Sequence, residues 1–148
     1  MNITHVPLIS SGVAGPLGVL HLPRLWLKLS LESVDRLAFG YPGAGTGYDQ
    51  MVIDGLGLDR NAVIGFIKDK KPTYPEFEKW IVLQPGVKLD ELSVDGLNSA
   101  IRGYQHDDND RKSILEANGL QDNESAPKDA VSLNNLDDWK EFYDAVLK

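Results

Sequence analysis

The stretch His21-Leu22-Pro23-Arg24-Leu25-Trp26-Leu27-Lys28-Leu29-Ser30-Leu31 decides how this chain folds. Pro23 suits the first turn of a helix, where its missing N–H would have had no partner and its fixed φ is already helical. Leu22, Leu25, Trp26 and Leu29 recur at three- and four-residue spacing, while Leu27, Leu31 and Val34 fill a second face. A helix apolar on two faces belongs at the centre of a domain. Gly40 is expected to end it, and Tyr41-Pro42-Gly43-Ala44-Gly45-Thr46-Gly47 follows as a glycine-rich loop.

The same pattern extends outward. A helix is expected near Asp49, with Met51, Val52 and Leu56 inward, broken by Gly55-Leu56-Gly57. Asp59 is a good N-cap for the next, with Val63, Ile64, Phe66 and Ile67 inward and Lys68, Lys70 and Lys71 at its C-terminal end. Thr73-Tyr74-Pro75-Glu76 is a capping box, Glu76 standing three residues after Thr73, and its helix carries Phe77, Trp80 and Ile81. Ser93 is read as the cap of a helix through Leu97, Ala100, Ile101 and Tyr104. A short helix holding Ile114 and Leu115 closes at Asn118-Gly119. A last helix is expected from Asn135, with Trp139, Phe142, Tyr143 and Val146 inward. Residues 1–20, rich in Gly, Pro and Ser, read as an irregular arm in which Ile3–Ile9 could supply one short strand. The expected fold is therefore mainly all-α: one domain of seven short helices with an extended arm at 1–20, a motif-bearing half at 21–85 and an acidic half at 86–148.

A chain of 148 residues with 42% hydrophobic and 25% charged residues is long enough for one core and ordinary in composition. It has no cysteine, which excludes disulfides, thiolate nucleophiles and thiolate metal sites. The net charge of -7 argues against nucleic acid as a partner, since that needs a basic face. The charge is unevenly placed. Residues 1–85 carry eight basic and eight acidic side chains, and residues 86–148 carry seven and fourteen, so the whole excess lies in the second half. Met1-Asn2-Ile3-Thr4-His5 lacks the charged start and apolar run of a leader, and Val19 to Leu31 is too short and too interrupted to span a bilayer. The expectation is a cytoplasmic protein without a membrane partner, with a homodimer left open.

Chemistry concentrates around the first helix. The glycine-rich loop has neither the lysine of a phosphate-binding loop nor the spacing and preceding strand of a dinucleotide fingerprint. On the helix, His21, Arg24 and Lys28 share one side. Cations among so many apolar residues require partners. They either form internal pairs, Arg24 with Asp49 or Asp54, or make an anion site in which Arg24 forks onto a carboxylate or phosphate beside His21. His5, His21 and His106 lack the spacing of a helical zinc pair. Asp107-Asp108-Asn109-Asp110 does not fit a calcium loop. Ser10-Ser11-Gly12 does not match a nucleophile elbow.

Gly18-Val19-Leu20-His21-Leu22-Pro23-Arg24, then Lys28, then Gly47-Tyr48-Asp49 and Leu56-Gly57-Leu58-Asp59, together with Trp80 and more loosely Trp139, resemble an uncharacterised domain-of-unknown-function family of small bacterial proteins with a Gly-x-x-His-Leu-Pro-Arg motif. The clear likeness covers residues 15–82. It implies a small, mostly helical domain whose shared polar residues include His21, Arg24, Lys28 and Asp49, and it brings no established activity.

The residues themselves point to a small enzyme without a permanent cofactor, acting on a small anionic metabolite. Arg24 and Lys28 would hold the anion, with Trp26 and Tyr41 completing the ligand contacts. His21 would act as general acid or base, Asp49 would orient it and Tyr48 would be a second proton carrier. Isomerase, lyase and hydrolase chemistry all fit. Two alternatives stand beside it: a non-catalytic module that binds a small ligand or a protein partner, and a divalent-metal enzyme using His21, Asp49 and His106.

Overall fold

Leu22–Ser33 forms the central helix, α1, with Leu22, Leu25 and Leu29 in the core. The computed structural model describes residues 3–148; Met1 and Asn2, the start of the segment read for a leader, lie outside the described residues. Six further helices follow: α2 (Tyr48–Leu56), α3 (Arg60–Lys70), α4 (Tyr74–Val82), α5 (Glu91–Gly103), α6 (Asp108–Ala117) and α7 (Ala130–Phe142). A π-helical turn, Tyr143–Leu147, continues α7. The expected all-α class holds. No helix among the described residues is long and apolar enough to cross a membrane.

Packing follows the apolar stripes. Helix α1 lies against α2, α3 and α4, α2 packs on α5, and α6 packs on α7. Val52, Ile53, Leu56, Val63, Ile67, Phe77, Ile81 and Ile101 are fully buried around α1. Leu115 and Leu133 close the second half.

Helix starts follow their caps. Asp59 accepts from the Ala62 N–H, and Thr73 and Glu76 make the reciprocal capping box. Two starts differ from the expectation. Helix α5 begins at Glu91, because Asp90 rather than Ser93 is the cap and accepts from the Ser93 N–H at 3.0 Å. Helix α7 begins at Ala130, not Asn135, because Asp129 caps it by accepting from Ser132.

A buried charge sets which face of α7 turns inward. Asp138 is 3% exposed, and at about 100° per residue its inward position turns Trp139 away from the core. Trp139, Tyr143 and Val146, expected inward, are 59%, 50% and 62% exposed.

Helix ends show a second correction. Helix α1 stops at Ser33, well before Gly40, leaving Val34 42% exposed. Asp35 takes the left-handed conformation, with φ 57°, and the N–H groups of Asp35 and Arg36 close back onto the carbonyls of Glu32 and Leu31. That is a Schellman closure built on Asp, a residue that tolerates this region better than most. Gly57, with φ 72°, closes α2 in the same way. Gly55 does not break α2. It lies inside the helix, where a Cβ would meet Leu97 Cδ1 at 2.7 Å, and so lets α5 come close.

The arm is irregular, as expected, but Ile3–Ile9 adds only an isolated bridge, His5 to Leu37. A segment without a ladder must satisfy its backbone groups elsewhere. Side chains of the helices do this. Arg24 donates to the carbonyls of Pro7 and Ile9, Asn98 bonds the Leu20 N–H and the Gly18 carbonyl, and Glu78 accepts from the Leu17 N–H.

Candidate functional site

The arm ends at His21, the residue that starts α1. His21 has φ 70° and is 2% exposed. A β-carbon in the left-handed region costs about 1–2 kcal/mol, so the surrounding bonds must hold it there. They do so through both ring nitrogens. Nδ1 lies 2.8 Å from Ser11 Oγ, and Nε2 lies 2.6 Å from Asp49 Oδ1. A carboxylate can only accept, so Nε2 carries the proton and the Ser11 hydroxyl donates to Nδ1.

Asp49 sits in the first turn of α2, where a negative charge is favoured by the exposed N–H groups. Its second oxygen accepts from Lys28 Nζ and from the Gly45 N–H, the latter at 2.7 Å. His21, Asp49 and Lys28 thus form one buried network, each no more than 6% exposed. Burial lowers the His21 pKa below its ordinary 6.5, leaving the ring neutral. Burial likewise lowers that of Lys28, against the pull of Asp49. Burial alone would raise the Asp49 carboxyl, but the His21 hydrogen bond and the Lys28 charge outweigh it and hold the group ionised. The network is a neutral imidazole beside a compensated ion pair.

The glycine-rich loop wraps this network by close approach rather than by left-handed turns; none of Gly43, Gly45 and Gly47 has positive φ, which falls instead on Gly40 just before the loop. Gly43 gives its N–H to Glu32 Oε2 at 3.1 Å, and a Cβ there would fall 2.3 Å from the same carboxylate. Arg60 clamps the other side, donating to the carbonyls of Ala44 and Gly45. The bound loop forms one lip of a cleft of about 450 Å³. The buried His21, Arg24, Lys28 and Asp49 form its floor, and Tyr41, Tyr48, Tyr104, His106 and residues of α7 form its wall, where the Tyr48 and Tyr104 rings lie 5.5 Å apart.

The expected site residues are placed unequally. His21, Asp49, Tyr48, Lys28, Arg24 and Tyr41 all reach the cleft; Trp26 does not. Its indole donates to the Pro72 carbonyl at 3.0 Å and packs edge-on against Tyr74, on a different side of α1. Arg24 reaches the cleft already engaged: Asp138 takes its guanidinium in a two-point pair at 2.6 and 3.1 Å. Neither Asp49 nor Asp54 is that partner. Tyr48 gives its hydroxyl proton to the Ile101 carbonyl of α5, and burial pushes its pKa up to about 12. Tyr41 donates to Asp138 Oδ1 at 3.0 Å and is also raised by burial. Both phenols therefore hold their protons at neutral pH.

His106 does not join His21 and Asp49. Its Nε2 lies 2.9 Å from Asn134 Oδ1 of α7, and no group of three metal-capable side chains comes together among the described residues. Ser11, weighed in the sequence only as part of a nucleophile elbow, and Asp138 complete His21 and Arg24; neither partnership is readable from spacing, because both exist only in the folded chain. Ser11 is 1% exposed and does not line the cleft, so its contact with His21 orients the ring and presents no nucleophile. Against known proteins, the chain matches no family model and no curated protein at a significant level.

Proposed function

We propose that the cleft binds a small molecule through an anionic oxygen at Lys28, and that the Lys28 ammonium, compensated by Asp49, hands a proton to the ligand and regains one from solvent through the cleft, as a small enzyme that needs no permanent cofactor would. The observation that carries this reading is the state of Lys28. It lines the cleft, is 6% exposed, and has Asp49 as its partner, which occupies one of three N–H donors. A buried ammonium with donors to spare is a strong acceptor site for a carboxylate or phosphate oxygen, and burial brings its acidity closer to the working pH of a general acid. His21 acts through Asp49, holding the carboxylate in place. Arg24 contributes structure, since Asp138 already fills its fork.

A binding module without turnover is the second reading, favoured by the engagement of both His21 nitrogens inside the protein. NMR titration with small carboxylates and phosphates tests the shared premise, and product analysis separates the two readings. Lys28→Met is expected to abolish the titration. His21→Asn is expected to remove turnover while binding persists; binding without turnover in the native chain supports the module. Unchanged titration in Lys28→Met would refute both.

A further inference from the structure

The wall of the cleft differs in charge from its floor. Of the charged residues that line it, the two cations are each neutralised by a buried carboxylate, Arg24 by Asp138 and Lys28 by Asp49. The wall carboxylates Asp110, Asp137 and Glu141 take part in none of the ion pairs of the described residues. Asp137 and Glu141 lie one turn apart on the face of α7 that also carries Asn134. Burial, then Glu141 and Asp138, raise the Asp137 carboxyl above its ordinary value against the smaller pull of Arg24 and His106, so a cation would be favoured beside it.

Neutral groups on the same wall are acceptors too. Asn134 Oδ1 can only accept, so His106 donates to it through Nε2–H and keeps a lone pair on Nδ1 in the neutral form. The ring of Tyr104 stands 6.4 Å from that of His106 and is set edge-on to it. Aromatic faces beside carboxylates attract organic cations. A metal ion is a poor match, because it needs three or more donors converging within bonding distance, and the carboxylates are instead spread along the wall.

We propose that this wall, through Tyr104, His106, Asp137 and Glu141, receives an ammonium-type group, so that the ligand of the cleft is a zwitterion with its anionic end at Lys28. The proposal rests on the reading of the cleft as a small-molecule site and adds the second half of the ligand. An ammonium group meets two carboxylates and the His106 lone pair, while its alkyl neighbours lie against the aromatic ring. The carboxylate at the other end meets the Lys28 ammonium. Neither a simple amine nor a simple carboxylate satisfies both ends.

Three matched probes separate these terms: 6-aminohexanoate, hexanoate and hexylamine, each titrated into the full chain and followed by NMR. The zwitterion is expected to bind roughly tenfold more tightly than hexanoate, the gain of one partly buried charge pair. The double variant Asp137→Asn with Glu141→Gln should erase that preference while hexanoate binds no more weakly than to the native chain; both side chains reach solvent, so the fold is retained. Equal affinity for 6-aminohexanoate and hexanoate, or a preference that survives in the double variant, overturns the proposal. The floor reading fails separately, if Lys28→Met leaves hexanoate binding unchanged; hexylamine perturbing the wall would then still support the cation site. Silence of all three probes overturns both.

Discussion

Arg24 of α1 and Asp138 of α7 meet in a two-point ion pair, 2.6 and 3.1 Å long, that joins the central helix to the last one across 114 residues of sequence. Both side chains are buried, 7% and 4% exposed, and Arg24 also bonds the arm at Pro7 and Ile9. One guanidinium therefore ties three parts of the chain together. It also explains why a helix this apolar carries an arginine: the partner is supplied by a segment far away.

Removing either member alone leaves a buried charge without compensation. Arg24→Met and Asp138→Asn are each expected to lower stability by about 3–5 kcal/mol in urea unfolding. The double variant Arg24→Met with Asp138→Leu should be more stable than Arg24→Met alone, because neither charge is then stranded. A double variant as weak as the sum of its parts would show that packing, rather than charge compensation, dominates the site.

Acid is expected to weaken the fold through His21. Its folded pKa lies below the ordinary 6.5, so on acidification the unfolded chain takes up a proton that the native ring refuses. Stability is full above about pH 6.5 and falls as pH drops toward the folded value, by at most about 1.4 kcal/mol per pH unit for this one group. Asp49 acts at lower pH still. Its depressed pKa stabilises the fold above its ordinary 3.8, and that contribution disappears only under stronger acid. Urea midpoints between about pH 7 and pH 5 measure the slope. His21→Asn, which tolerates the left-handed conformation and cannot titrate, should flatten it. A slope unchanged in His21→Asn would assign the effect to other groups.

Much of this site was legible and some of it could not be. Helical spacing puts His21, Arg24 and Lys28 on one side and the need of buried cations for a carboxylate points to Asp49, but spacing offers that carboxylate to Arg24, whereas Lys28 and His21 take it. Caps at Asp59 and Thr73 are local, involve residues three apart, and can be read directly. Asp138 could not be identified from spacing, because nothing in residues 135–146 distinguishes the buried aspartate from its exposed neighbours until Arg24 is packed against it. Reading Trp139 as inward followed hydrophobicity, and a buried ion pair overrode that pattern. Ser11 was invisible for a similar reason: its role exists only once the arm folds back over α1.

The lip of the cleft depends on a residue with no side chain. A methyl at Gly43 would fall 2.3 Å from Glu32 Oε1, so Gly43→Ala must expel the carboxylate that holds the loop. Glu32 is exposed and its side chain can swing away, which keeps the expected loss of stability to about 1–3 kcal/mol. The larger effect is local. Amide exchange across 40–47 should accelerate, and hexanoate should bind more weakly, because Gly45 then holds Asp49 less firmly. Glu32→Ala, which removes the same bond without the clash, should reproduce the loosening. If Gly43→Ala alone loosens the loop, steric pressure rather than the Glu32 bond is responsible.

The register of α7 makes the sharpest test of the fold. Leu133 is fully buried beside Ala130, whereas Trp139 is 59% exposed despite its size. Truncating a buried leucine removes its transfer free energy and leaves a cavity, so Leu133→Ala should cost about 2–5 kcal/mol. Trp139→Ala removes a ring that is mostly in water already and should cost under about 1 kcal/mol. The fluorescence of the native chain gives an independent measure, since Trp139 should be open to iodide quenching while Trp26, bonded to Pro72, is shielded. Were α7 to start at Asn135 with Trp139 inward, the order of the two substitutions would reverse and quenching would be lost. Asp138 would then turn away from Arg24, and the ion pair that links the arm, the central helix and the last helix could not form.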